Sequence, residues 1–236
     1  MNMTRRDFLG ASATVLASTA IGSPIRSSIG GRMEYHEGDT RLYDSDVEYL
    51  ESTGTQWIDT GYNPYNKKPI FTIDLFSIGN QSRVNMFGAT YNSSTSPFFW
   101  LTCGGIAWAW GMGGGYGGGS STSEYANRYM RFVYNVPMLT ISVNGVFRAA
   151  TVGKYSFTMP NKSLYLFDCN GFSDRRPFVG RIYGCSITEN DDIVCEYQPV
   201  RFTNEYGETE GAMYDRVSGQ LFRNQGTGSF IIGPDI

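Results

Sequence analysis

The amino-acid sequence predicts an all-β chain, an antiparallel two-sheet sandwich, and three observations carry that prediction. Apolar residues recur at every second position over short runs, the period of a half-buried strand rather than of a helix. Glycine makes up 29 of the 236 residues, which supplies the positive-φ positions that many tight turns require. Aromatic residues reach 15% while charged residues stop at 17%, below the roughly 25% of an average domain, which excludes a coiled coil, a charged disordered tail and a helix-rich bundle. The net charge is −3, so there is no basic excess to grip a phosphate backbone, and nucleic acid is not an expected partner.

The first element is an address. A basic start, Thr4-Arg5-Arg6-Asp7-Phe8-Leu9, precedes a short, mildly apolar stretch from Ala11 to Ile21 rich in Ala, Ser and Thr. That order is a secretory signal; spanning a bilayer needs about 20 strongly apolar residues, and no transmembrane segment is expected. The adjacent arginines resemble the twin-arginine export signal of bacteria. The signal peptide is placed at 1–22, with cleavage after Ala20 or, alternatively, Gly22. No Cys follows it, so a lipid anchor is not indicated. The implied destination is periplasmic, extracellular or at the cell surface. Residues 23–45 lack periodicity, hold the only histidine, His36, and read as a flexible spacer. The sandwich is expected over 46–236 as one domain.

Within it, Phe71, Ile73 and Leu75 alternate with Thr72, Asp74 and Phe76 as a strand. Met130, Phe132, Tyr134 and Val136 also alternate, and Pro137 ends the run, so this stretch reads as strand despite some helical spacing. Asn144-Gly145 between two apolar runs predicts a hairpin, because a type I′ turn needs positive φ twice. Gly180 to Tyr197 predicts a second hairpin. Centring its turn on Asn190 places Cys185 opposite Cys195, close enough for a disulfide in an oxidising compartment. The other reading, slightly preferred, is two small buried hydrophobes. No CxxC or His/Cys cluster exists, so no metal site is expected from that source.

A family resemblance rests on three stretches. Arg128–Tyr134, a turn and Met138–Gly145 resemble the strand-turn-strand centre of laminin-G-like jelly rolls. Val47–Gly61 and Met213–Gly228 resemble the opening and closing signatures of exported bacterial modules with the concanavalin A-like lectin/glucanase fold. The resemblance covers roughly Val47 to Pro234 and implies a jelly-roll sandwich, a fold that hosts lectins, adhesins and glycosidases alike. The motif residues themselves have turn chemistry and are expected to shape the sandwich.

Glycosidases of that superfamily carry alternating acids, E-x-D-x-E or E-x-D-x-x-E, on one strand. Here Glu189-Asn190-Asp191 begins the pattern, but Ile193 and Val194 stand where the third acid belongs. Asp44, Asp46 and Glu48 alternate, and a solvated strand entry explains them more simply. With His36 in the spacer no triad base is placed, so the chain is not expected to be an enzyme. Binding chemistry is richer. If Ile106–Trp110 is a strand, Trp108 and Trp110 share a face; these, with Tyr116, Trp100 and more remotely Tyr91, could stack on sugar rings where neighbouring glycines leave space. The bland alternative is a core stripe beside a glycine-rich loop. Asp168, Asn170 and Asp174 offer oxygens for calcium, though turn capping is the commoner use, and no cofactor is expected. The expectation is an exported, non-catalytic module that binds carbohydrate or another surface polymer. A structural or protein-interaction module of the cell envelope is the alternative, and a divergent glycoside hydrolase a lesser one.

Overall fold

The computed structural model describes residues 42–236 except 80, 82–83, 91–97, 105–106, 113–114, 120–125, 139, 151–159, 172 and 174; for 98–104, 107–112, 115–119 and 147–150 it describes the strand backbone. The expected signal at 1–22, His36 and most of the spacer lie outside the described residues. The chain enters through β1 (Ser45–Asp46), β2 (Leu50–Thr53) and β3 (Ile58–Asp59), then runs along β4 (Ile70–Ser77) and β5 (Val84–Thr90). A meander follows in β6 (Phe98–Gly104), β7 (Ala107–Met112) and β8 (Gly115–Gly119), and another in β9 (Tyr129–Asn135), β10 (Thr140–Val143) and β11 (Val146–Ala150). The remainder is β12 (Tyr165–Leu166), β13 (Val179–Glu189), β14 (Asp192–Thr203), β15 (Thr209–Asp215), β16 (Gln220–Arg223) and β17 (Ile231–Ile232).

These strands form two antiparallel sheets. The larger runs β11-β10-β9-β4-β13-β14-β15-β16, with β1 paired to β14 and β2 held between β13 and β17. The smaller runs β3-β12-β5-β6-β7-β8. Chain crossings between sheets fall at β2/β3, β3/β4, β4/β5, β8/β9, β11/β12 and β12/β13. The predicted antiparallel two-sheet sandwich is therefore what the chain forms. Its core is the product of alternation: Phe71, Ile73 and Leu75 of β4 and Met130, Phe132 and Tyr134 of β9 turn inward from the larger sheet. Ile58, Phe87 and Leu166 meet them from the smaller, with the Phe71 and Phe87 rings 6.3 Å apart. Sheets that bury one face each must cover it in this way, since every apolar side chain withdrawn from water contributes about 1.5–3 kcal/mol.

Both predicted hairpins exist. Asn144 and Gly145 carry φ of 52° and 76° between β10 and β11. In the second, Asn190 and Asp191 share the turn with φ of 49° and 70°, so its centre falls between them and not on Asn190. A bulge at Ile187/Thr188 shifts the register further. Cys185 then lies opposite Tyr197 and Cys195 opposite Ile187, which corrects the expected direct opposition. The two cysteines are diagonal neighbours, and such pairs stand about 7–8 Å apart, beyond comfortable disulfide reach. Both are buried free thiols, packed in the core as small hydrophobes. At the N-terminal boundary the sandwich already includes Asp44, whose N–H donates to the Arg201 carbonyl at 2.8 Å.

Candidate functional site

The aromatic residues expected to bind a ligand lie on the meander of the smaller sheet, and its register sorts them. Phe87 of β5 pairs with Leu101 of β6, which pairs with Trp110 of β7. Trp108 stands two residues from Trp110, so both occupy the parity of Phe87, a core residue. The neighbouring row has the opposite parity: Tyr165 of β12, Gly88, Trp100, Gly111 and Tyr116, each opposite the next. By register Trp100 and Tyr116 thus stand in the row of Tyr165, separated by Gly111, whereas Trp110 stands in the row of Phe87 and Trp108 two residues from it.

At the start of the outer row the side chains are fully described. Trp57 precedes β3 and its ring stacks on Tyr165, centroids 4.4 Å apart at 32°. The Arg175 guanidinium lies over Trp57 at 4.0 Å and reaches Tyr165 at 5.4 Å. Such tilted stacks and cation–π contacts contribute about 0.5–1.5 kcal/mol each. Arg175 is fixed from below by Asp168, a carboxylate with no solvent exposure. Burying that charge requires pairing and hydrogen bonds, and both are present. Asp168 Oδ1 accepts from Asn85 Nδ2 at 3.2 Å and from the Cys169 N–H at 2.8 Å; Oδ2 accepts from Arg175 Nη1 at 3.2 Å.

Trp57 is equally constrained through its backbone. Its N–H donates to Asn224 Oδ1, and its carbonyl accepts from the Gln225 N–H. The opening and closing signature motifs therefore interlock around this tryptophan. Gln56 Nε2 and Thr55 Oγ1 both donate to the Thr227 carbonyl. Gly226 runs so close to Thr55 that a Cβ there would sit 1.9 Å from its carbonyl oxygen. The motifs shape the sandwich, and in doing so they fix Trp57, half-buried at the margin of the core, beside Tyr165. Sequence reasoning missed Trp57, Tyr165 and Arg175 as a group because they lie on three segments more than 100 residues apart at their widest. The alternation Trp57-Ile58-Asp59 against buried Ile58 was the available signal.

The remaining candidates have structural partners. Asp168 is held as described, and the Asn170 amide donates to the Ser163 carbonyl and hydroxyl; Asp174 and Tyr91 lie outside the described residues. Asp44 accepts from Thr203 Oγ1 at 2.8 Å, and Asp46 faces Arg216 at 3.6 Å. Glu189 accepts from Tyr62 Oη and Lys67 Nζ, both at 3.0 Å; burial of the Tyr62 hydroxyl, and after it the Glu189 charge, raises the Tyr62 pKa. A second aromatic cluster, Tyr49, Tyr183 and Tyr129, occupies the outer face of the larger sheet. There Arg181 covers Tyr49 at 4.3 Å and pairs with Glu51, so the rings and charges engage one another.

No family model matches the chain, and no curated protein matches it. Among solved structures, a chain from Bacteroides ovatus named a "putative carbohydrate binding protein" superposes with a TM-score of 0.52 at 14% identity. The match covers 79% of this chain and 60% of that one, so the chain spans about three fifths of that protein's length. At this identity the likeness concerns the fold, and it agrees with the two-sheet sandwich described above.

Proposed function

We propose that the protein is an exported, non-catalytic module that holds carbohydrate, or another surface polymer with sugar-like faces, on the outer face of its smaller sheet. The observation that carries this reading is the Trp57–Tyr165–Arg175 stack at the head of a row that continues through Gly88, Trp100, Gly111 and Tyr116. Sugar recognition needs apolar ring faces, convergent polar groups and room for the ligand. The half-buried Trp57 ring, backed by the buried Tyr165, supplies the first, Arg175 and Asp59 the second, and the 44% exposed Arg175 side chain marks where the face is open. The name of the structural neighbour agrees with a carbohydrate ligand. Engagement of Asp44, Asp46 and Glu189 in local contacts favours binding over hydrolysis, and the Arg5-Arg6 signal favours export.

The test is a titration of purified protein with a panel of oligosaccharides and polysaccharides, following tryptophan fluorescence and heat. Binding should weaken about tenfold or more in Trp57→Ala and Trp100→Ala, variants whose folding is checked by near-ultraviolet circular dichroism. Trp110→Ala, in the other register row, should bind like wild type as long as it folds. Equal affinity across folded Trp57→Ala, Trp100→Ala and wild type would remove this face as the site, and silence across the whole panel would remove the carbohydrate reading.

A further inference from the structure

We infer that this face prefers acidic saccharides, with Arg175 receiving the carboxylate of a uronic acid and Asp168 acting as its positioning residue; the inference rests on the carbohydrate reading of the same face. A guanidinium offers five N–H donors in one plane. One surface of the Arg175 plane lies over Trp57 at 4.0 Å, and one donor, Nη1, is taken by Asp168. Among the described residues it makes no other hydrogen bond. Its side chain is 44% exposed, against 0% for Asp168. The result is a flat donor edge, clamped on one side and from beneath, whose remaining N–H groups meet solvent at the margin of the Trp57–Tyr165 stack. That is the arrangement a planar carboxylate pairs with bidentately.

Charge points the same way. Asp168 is buried and shares its negative charge with Asn85 and the Cys169 N–H, so it offsets the Arg175 charge from the interior and offers nothing to a ligand. The stretch 161–178 carries Lys162, Arg175 and Arg176 against Asp168 and Asp174, in a chain that is acidic as a whole. Asp59 shares the outer face and would repel an acidic ligand, but one of its oxygens accepts from the Gly61 N–H at 3.0 Å. The carboxylate is therefore seated on the Arg175 side of the stack and a neutral part of the sugar beside Asp59.

The experiment compares matched oligomers by calorimetry: galacturonate with galactose, glucuronate with glucose, and mannuronate with mannose, each at equal length. At least one uronate should bind about tenfold tighter than its neutral counterpart, and added salt should weaken only the uronate. Arg175→Gln should weaken uronate binding about tenfold more than it weakens neutral binding, so that the preference disappears, and Arg175→Lys should restore a part of it. Asp168→Asn should reduce the ratio and the salt dependence together, a change that a purely structural role would not produce in a folded variant. Equal binding of both members of every pair, or a preference that survives Arg175→Gln, overturns the inference and leaves the carbohydrate reading intact. Absence of binding to any glycan overturns both.

Discussion

The Asp215 carboxylate, almost wholly buried at the end of β15, accepts from the Glu196 and Val217 N–H groups through Oδ1 and from the Ser218 N–H and hydroxyl through Oδ2. It closes the β15–β16 turn and ties it to β14. Removing it takes the charged acceptor from four part-buried hydrogen bonds, and a bond to a charged group contributes about 1.5–3 kcal/mol. Asp215→Ala should therefore lower the unfolding free energy by about 3 kcal/mol in urea titrations; a loss under about 0.5 kcal/mol would show that water replaces the carboxylate. The buried thiols give a second expectation. Burial pushes the Cys169, Cys185 and Cys195 thiols up from their ordinary value near 9, so the fold keeps them neutral. Above that value the unfolded chain releases protons that the folded chain retains. Their contribution is whole below about pH 9 and is lost as pH rises beyond it, at up to about 1.4 kcal/mol per pH unit for each thiol. Urea midpoints should be flat through pH 8 as far as these groups decide, fall above 9, and fall less steeply in Cys185→Ala.

Turns and strand pairings decided which sequence signals could be followed. At β10–β11 the Asn144-Gly145 turn has glycine where φ is 76°, whereas at β13–β14 the same turn type puts Asp191 at 70°. Asp191→Gly should thus stabilise the protein by about 0.5–1 kcal/mol, read as a rise in melting temperature, because glycine meets that φ without strain. The clasp between residues 52–57 and 224–228 predicts the reverse sign at Gly226. A Cβ there meets the Thr55 carbonyl oxygen at 1.9 Å, so Gly226→Ala should cost about 2 kcal/mol or more and expose Trp57 to quenchers. The same elements show what was legible. Period two placed β4 and β9, and Asn-Gly placed its hairpin, because both signals are local. The cysteine register was not legible, since it depends on a turn centred between Asn190 and Asp191 and on a bulge at Ile187/Thr188 that no residue pattern announces. Nor was the row of Trp108 and Trp110: parity puts them together, but only pairing through β6 aligns Trp110 with Phe87. Trp57, Tyr165 and Arg175 become neighbours through tertiary pairing alone.

The larger sheet joins distant parts of the chain, and this sets how the molecule comes apart. β2 pairs with β13 on one side and β17 on the other, so Glu51 sits between Arg181 and Ile231. Asp46 accepts from the N–H of Ile236 at 3.1 Å, and Phe230 packs in the core with its ring 4.9 Å from Phe167. Phe167 lies between β12, which carries Tyr165, and Asp168, which holds Arg175. The C-terminal segment is therefore mechanically continuous with the Trp57–Tyr165–Arg175 stack. Phe230→Ala opens a cavity under this segment and should cost about 3–5 kcal/mol. It should also loosen the Asp168–Arg175 clamp, so any ligand that binds at Trp57 should lose affinity in Phe230→Ala. Phe230→Leu, which keeps most of the volume, should recover both stability and affinity. Paired measurement of urea midpoint and ligand affinity in the two variants checks this: stability that falls while affinity is unchanged would show that the stack at Trp57 stands independently of the C-terminal strand.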